Sequence, residues 1–427
     1  MKKIVLNKEL TAKREYDVIV VGGGVAGCAA AVSVAGKGKS VLLLEKTNLL
    51  GGLATIGLIN MFVPMCNGRG QQIIFGLAEK WIRDSLKYSW QSMPSEWEKT
   101  GSPDGTNHRY YNHYSPNIFA LQLTEEIVTS GVDLLFDCIG CEPVCEDGRC
   151  VGIITDSKAG LEFYGCKMII DTSGDCDVLR RMGVPTVSGE NYYTYVTKML
   201  TLDSCKKAIE HNNIRFATYD YHGGSINLFG DNQPLDMPRW SGLSPEEVTD
   251  YLVRNQIEVL NKIRNDDRLS RDIVTLPTMP QFRTTCHIKG DYSLKVSDAY
   301  KHFDDSICAI NDFEHRNHLF EVSLKTITRR DFPNVITAGR SASGEGYGWD
   351  LLRVIPPAIL TGQAAGAVAC QALDEGVGVA DVNVSRLQNT LEGENVMIHF
   401  PDEYIPEDRT VIIHGKSHLP EDDIGHI

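Results

Sequence analysis

The segment Asp17 to Ala31, DVIVVGGGVAGCAAA, changes character in mid-run and constrains the fold more than any other part of the chain. A β-branched run from Asp17 to Val21 stops at three glycines, and a helix of small residues follows from Ala26 to Ala35. A short apolar run that ends in glycine reads as a fully buried strand. Ser40 to Glu45 (SVLLLE) is a second one. Strand, helix and strand within about thirty residues make a parallel unit with a right-handed crossover.

Gly22, Gly24 and Gly27 keep the G-x-G-x-x-G spacing. The first permits a tight turn out of the strand, the second lets backbone approach a pyrophosphate, and the third lets the helix pack against the sheet. Val25 and Ala26 open the helix, where unpaired N–H groups and the positive dipole end suit phosphates. Glu45 closes the second strand 18 residues after Gly27, followed by Lys46. It is placed to accept hydrogen bonds from ribose hydroxyls, and its charge repels a 2′-phosphate. The expected ligand is a dinucleotide with an adenosine half, NAD or FAD rather than NADP.

The wider sequence narrows the class. Its 427 residues, 42% hydrophobic, allow one large core or two moderate ones. Forty-two basic against 56 acidic residues give a net charge of −14, which disfavours a nucleic-acid surface. No charge-free apolar run reaches ~18 residues, and MKKIVLNKEL lacks the apolar stretch of a signal peptide, so a soluble cytoplasmic protein without membrane insertion is expected. The twelve cysteines are then expected as free thiols.

Further along, a helix is expected over Gln71 to Leu86 and a polar, aromatic excursion over Tyr88 to Tyr114. Ser115-Pro116 starts a helix that runs to about Gly131, the serine as cap and the proline in the first turn. VDLLFDC, CEPVCED, CVGIITD and LEFYGC read as an antiparallel meander over about 134–168, and KMIIDTSGD as a buried strand ending in a turn. FPNVITAG reads as a further strand, with a helix from about Arg353 to Leu373.

The pieces DVIVVGGGVAGCAAA, EKTNLLGGLATIGLIN, MIIDTSGDCDVLRRMGVP and NVITAGRSASGEGYGWDLLRVIPPAILTGQAAG together resemble the FAD-dependent oxidoreductase family with a glutathione-reductase type FAD domain, in particular its bacterial members. The resemblance implies an α/β fold. Its core is a three-layer ββα Rossmann-like FAD-binding domain, with an inserted α+β substrate or cap domain. The implied divisions are 1–183 and 325–380 for the FAD domain, 184–324 for the insertion and 381–427 for a peripheral C-terminal segment. Gly22, Gly24, Gly27 and Glu45 would bind the ADP half, and Gly51, Gly52 and Thr55 would lie near the pyrophosphate and ribityl chain. Asp171, Thr172, Ser173 and Gly174 would form the strand end under the adenosine side. Gly339 and Arg340 would meet the pyrophosphate, and the helix start at Arg353 and Val354 would aim at the flavin, where it favours reduced-flavin charge.

The implied reaction is hydride transfer between a small-molecule substrate and FAD, with an unnamed electron acceptor. Arg283 and His287 lie in MPQFRTTCHIKGDY, where Arg283 matches the first arginine of the family's stretch, and Cys286 and His287 replace a usual pair of arginines. They are candidate substrate-handling residues, with Glu345, Tyr347 and Arg353 as pocket walls or anion clamps. His108, His113 and His222 are weaker candidates, and Cys66 follows the double-glycine loop. Cys138, Cys141, Cys145 and Cys150 lack C-x-x-C pairs, so no metal site is expected. A second complete G-x-G-x-x-G after a buried strand is absent, which argues against a separate NAD(P)H domain. A flavoprotein electron-transfer subunit, a tRNA-modifying flavoprotein and a non-enzymatic NAD-binding regulatory module remain alternatives. A homo-oligomer is compatible with all of them.

Overall fold

The computed structural model describes residues 3–4, 7–92 and 109–419. The expected strand–helix–strand unit consists of β1 (Ala12–Val21), α1 (Val25–Gly36) and β2 (Val41–Leu44). β1 begins well before the apolar run. Its polar start pairs with the chain near Phe163 to Cys166 while Lys13, Arg14 and Glu15 stay exposed, so polarity hides that half of the strand from a hydrophobicity reading.

β1 lies between β2 and the long strand Gly160–Asp171 and runs parallel to both. Asp133–Leu135 extends the sheet beyond β2, and Val335–Thr337 pairs with the last residues of the long strand. LEFYGC and KMIID are therefore one strand. Its first half pairs antiparallel with Arg149–Ser157, and its second half joins the parallel sheet. Asp133–Leu135 likewise leaves the expected meander: the helix Pro116–Thr129 precedes it and makes the crossover that parallel pairing requires. Ser115 caps that helix, its side chain accepting from the Ile118 amide. The helix expected from Gln71 starts instead at Gly76 and runs to Lys87.

Side chains alternate across β1. Val18 and Val20 join a cluster with α1 and the helix Ile355–Glu375, whereas Ile19 and Val21 join a second cluster with Ile153, Tyr164 and Leu179. Each such buried aliphatic side chain contributes about 1.5–3 kcal/mol, so the sheet is held from both faces in three layers. α1 and Ile355–Glu375 touch at backbone distance, since a Cβ on Gly362 or Gly366 would overlap the Ala26 or Ala30 carbonyl oxygen. That contact explains why both helices consist of small residues.

The helix expected from about Arg353 to Leu373 is Ile355–Glu375, and a separate helix, Tyr347–Arg353, precedes it at a bend of 75°. Pro356 and Pro357 fit the first turn of Ile355–Glu375. Among the described residues no single helix is long and apolar enough to cross a membrane. In the middle of the chain, Thr194–Thr201 pairs with Thr218–Ser225 and Arg271–Thr275, and the helix Pro245–Ile263 accompanies this sheet. Tyr195, Trp240, Tyr251, Val259 and Phe282 form its separate core. The hairpin Ser306–Asn311 and Leu319–Ser323, and Val396, Ile398, Phe400, Val411 and Ile413 near the C-terminus, join the first cluster with α1.

The register sets Leu135, Leu44, Val21, Asp171 and Thr337 side by side. Five parallel strands thus end along one edge, where open α/β sheets bind ligands.

Candidate functional site

At that edge lies a cleft with an empty volume of about 1190 Å³, open mouth included. The two glycine loops form its floor. Gly22 has φ +105°, and a Cβ there would stand 2.5 Å from the Thr172 carbonyl oxygen; one on Gly27 would overlap the Gly22 oxygen. Gly24 differs, because nothing lies within 4 Å of its Cβ position. Two glycines are thus required by packing, and the one between them leaves open space in the cleft. The Gly51 amide donates to the Gly23 oxygen at 2.8 Å, which ties the second loop to the first.

No side chain caps α1 at Gly24, and Val25 and Ala26 line the cleft, so the first amides of the helix are left for an anion. Glu45 is buried beside them. Its Oε2 accepts from the Gly23 amide at 2.7 Å, and its Oε1 from the Thr47 amide and hydroxyl at 2.8 and 2.7 Å. The carboxylate is held in one orientation, with acceptor capacity remaining on each oxygen. Floor, helix start and carboxylate together fit the pyrophosphate and ribose of an adenine dinucleotide.

Lys46, Gly51, Gly52, Thr172, Ser173, Gly174, Gly339, Arg340 and Arg353 also line the cleft. Gly27, Thr55, Asp171 and Val354 do not. Gly27 is the helix-to-sheet contact, and Val354 caps the start of Ile355–Glu375. The Thr55 hydroxyl donates to the Leu50 carbonyl at 2.6 Å and braces the second loop. Asp171 is fully buried and turns under the sheet, where it accepts from the Ser173, Val178 and Leu179 amides at 2.9–3.0 Å. Burial raises its pKa against those bonds. Arg340 faces the cleft but is committed to protein groups, donating to the Gly174 and Phe282 carbonyls and pairing with Asp175 at 2.8 Å. It acts as a strut between two walls.

The walls also include residues the sequence reading did not place there: Asp175, Asp177, Met279, Pro280 and Ile355, together with Cys138. Asp175 and Asp177 follow Gly174 directly in SGDCD, a signal that was present in the quoted motif. Met279 and Pro280 arrive from the middle of the chain, just ahead of Arg283.

Arg283 is not one of the cleft-lining residues, although the charge of Arg353 reaches it. Its amide donates to Asn191 and its guanidinium to the Ile226 carbonyl at 3.2 Å, and among the described residues no carboxylate pairs with it. Burial, and secondly the charge of Arg353, lower its pKa to about 10. Arg353 itself pairs with Asp350 at 2.5 Å and lies 6.0 Å from the Phe313 ring. Tyr347 packs with Phe229 and Phe313, and its buried hydroxyl donates to Asp312 at 2.6 Å. Burial and that neighbouring carboxylate hold the phenol far above its usual range. Glu345 is exposed and pairs with Lys295 at 3.4 Å.

His287 lies away from the cleft walls, in the strand Cys286–Ile288 paired with Thr186–Ser188. Its Nδ1–H donates to the Ile288 carbonyl at 2.6 Å, and its ring meets Trp349 edge-on at 4.4 Å. Burial lowers its pKa. The folded protein therefore binds this proton more weakly than the unfolded chain. The associated stability is complete above about pH 6.5 and is lost as pH falls through the lower folded value. The thermal midpoint of His287→Gln should fall less steeply between about pH 7 and 5 than that of the parent; identical slopes would exclude this histidine as a contributor.

His113 and His222 are also depressed by burial and lie outside the cleft walls, while His108 falls outside the described residues. Cys66 is buried, its thiol pushed up to about 12. Cys138 joins the cleft wall, Cys145 is exposed, and all twelve cysteines are free thiols. Among the described residues Cys138, Cys141, Cys145 and Cys150 do not gather into a metal-ligating group.

Curated relatives include the digeranylgeranylglycerophospholipid reductase of Methanospirillum hungatei, 30% identical over 147 residues, covering 33% of this chain and 34% of that protein. The reductase of the same name from Methanocella arvoryzae is 27% identical over 228 residues, with coverage of 50% and 51%. The chain thus matches about a third to a half of the length of these relatives. A solved geranylgeranyl bacteriochlorophyll reductase-like protein from Thermoplasma acidophilum aligns over 92% of this chain and 94% of that one, at 13% identity and a TM-score of 0.44. A model of the FAD dependent oxidoreductase family matches residues 17–223 and 247–391, most of the chain and every glycine loop of the cleft, and the protein belongs to that family.

Proposed function

We propose that this FAD-dependent oxidoreductase transfers hydride between a small anionic organic substrate and the flavin, with Arg283 and Arg353 holding the anion. The observation that carries this reading is a partly buried Arg283 that donates to a carbonyl, forms no ion pair among the described residues, and feels the charge of the cleft-lining Arg353. Asp350 balances one of these two positive charges, and the other leaves a desolvated site that favours a substrate anion. Bound FAD supplies the two-electron chemistry. Gly22 to Gly27 and Glu45 would hold its ADP half, and Arg340 would keep the cleft walls at a fixed separation. The start of Ile355–Glu375, next to Arg353, would favour negative charge on the reduced ring. Phe229, Phe313 and Tyr347 pack together, with Phe313 beside Arg353, so that arginine has an apolar flank.

The test is an anaerobic screen for flavin reduction by hydroxy acids, dicarboxylates and amines. An isoprenoid phospholipid belongs in the screen, because the curated relatives are named for reducing one and its phosphate suits the same pair of arginines. With a substrate in hand, Arg283→Ala should keep full flavin content and lower kcat/KM about 100-fold, the loss expected when a buried charge partner is removed. Loss of flavin in that variant would move Arg283 to the cofactor, and reduction by amines alone would remove the anion from the proposal.

A further inference from the structure

Far along the chain from the glycine loops, three chemically suited side chains converge. Glu321, in Leu319–Ser323, is fully buried, and among the described residues no lysine or arginine pairs with it. Its Oε1 lies 2.5 Å from His302 Nδ1, and its Oε2 lies 3.0 Å from His399 Nδ1 and accepts from the Phe303 amide at 2.7 Å. The three ligand atoms lie within 4.8 Å of one another.

We propose that His302, Glu321 and His399 bind a divalent transition-metal ion, zinc by preference, which fastens the C-terminal segment to the hairpin Ser306–Ser323. Two imidazoles and a carboxylate are a donor set that zinc takes readily, with water completing four-coordination. Bonds of about 2.0–2.2 Å in a tetrahedron set donor atoms about 3.3 Å apart. The two histidine–carboxylate separations, 2.5 and 3.0 Å, are shorter than that, and outward ring movements suffice to open them because both imidazoles are over a third exposed. A separate feature points the same way. The far nitrogen of His302, Nε2, lies 3.0 Å from Asp402 Oδ1. A carboxylate behind a histidine is the usual outer support of a metal ligand, fixing its tautomer and ring orientation.

The rival is a plain hydrogen-bonded cluster in which an imidazolium balances Glu321. Full-length protein freed of metal with a chelator should separate the two, by competition of Zn²⁺ with a chromophoric chelator. The exposed thiols are alkylated first, since cysteines also take zinc. The parent should bind one equivalent that His399→Gln lacks, and cobalt in its place should show the spectrum of four-coordinate nitrogen and oxygen ligation. Asp402→Asn, an exposed change, should keep the equivalent but bind it about 10-fold more weakly. Zinc should raise the thermal midpoint of the parent and leave that of His399→Gln unmoved. The proposal fails if the parent binds no zinc, or if parent and His399→Gln bind equal amounts with equal affinity.

Discussion

Gly24→Leu should give a folded protein that retains no flavin. The backbone there has φ −64° and ψ 174°, an extended conformation open to any residue, and no atom of the protein lies within 4 Å of the Cβ position. The substitution therefore costs the fold little. What it fills is the space between the α1 amides and the second glycine loop, where Gly52 approaches Gly24. A pyrophosphate can reach those amides only while that space is free. Affinity for FAD should fall at least about 100-fold, or roughly 2.7 kcal/mol. Flavin absorbance per protein after purification, and again after incubation with FAD, reads this directly. An unchanged thermal midpoint without flavin shows that the fold is intact. Full flavin occupancy in such a variant would move the phosphates away from α1.

The legible part of this site is the part built from neighbours in sequence. Gly22 to Glu45 carry turn, helix start and ribose acceptor on one continuous unit, so spacing alone fixes their arrangement. The failures come where a side chain has a choice of direction. Asp171 stands at the right strand end, yet the same residue type that can meet a ligand can also bond the amides below it, and here the short helix Asp177–Arg181 takes the carboxylate. Arg340 reaches the cleft, but its donors are consumed by Gly174, Asp175 and Phe282, which no local pattern discloses. His302, Glu321 and His399 span almost a hundred residues, and only the docking of the C-terminal segment brings them together. In the fold, the parallel unit was readable from its apolar runs. The polar half of β1 and the double allegiance of Gly160–Asp171 were not, because both depend on which strand lies alongside.

Gly27→Ala and Gly36→Ala make the same chemical change on α1 and should move stability in opposite directions. At Gly27 the new methyl group would overlap the Gly22 carbonyl oxygen and come within 2.6 Å of Thr172 Oγ1. Neither neighbour yields easily. The Gly22 amide is bonded to Leu44 at 2.8 Å, the Thr172 amide to Val21 at 2.9 Å, and the Thr172 hydroxyl to Gly22 at 2.8 Å. Relief requires α1 to lift from the sheet, and Gly362 already holds it at backbone contact from the other side. A cost of about 3 kcal/mol, at the upper end for overpacking, is expected. Gly36, in the last turn, has no atom within 4 Å of its Cβ position, so alanine there gains helix propensity of up to about 1 kcal/mol. Denaturant midpoints of the flavin-free proteins compare the two without the added stability of bound ligand. Because intrinsic propensity favours alanine at both sites, the difference between the variants isolates the helix-to-strand contact. Equal midpoints would mean that α1 does not rest on Gly22, and the floor of the cleft would lose the geometry on which its phosphate site depends.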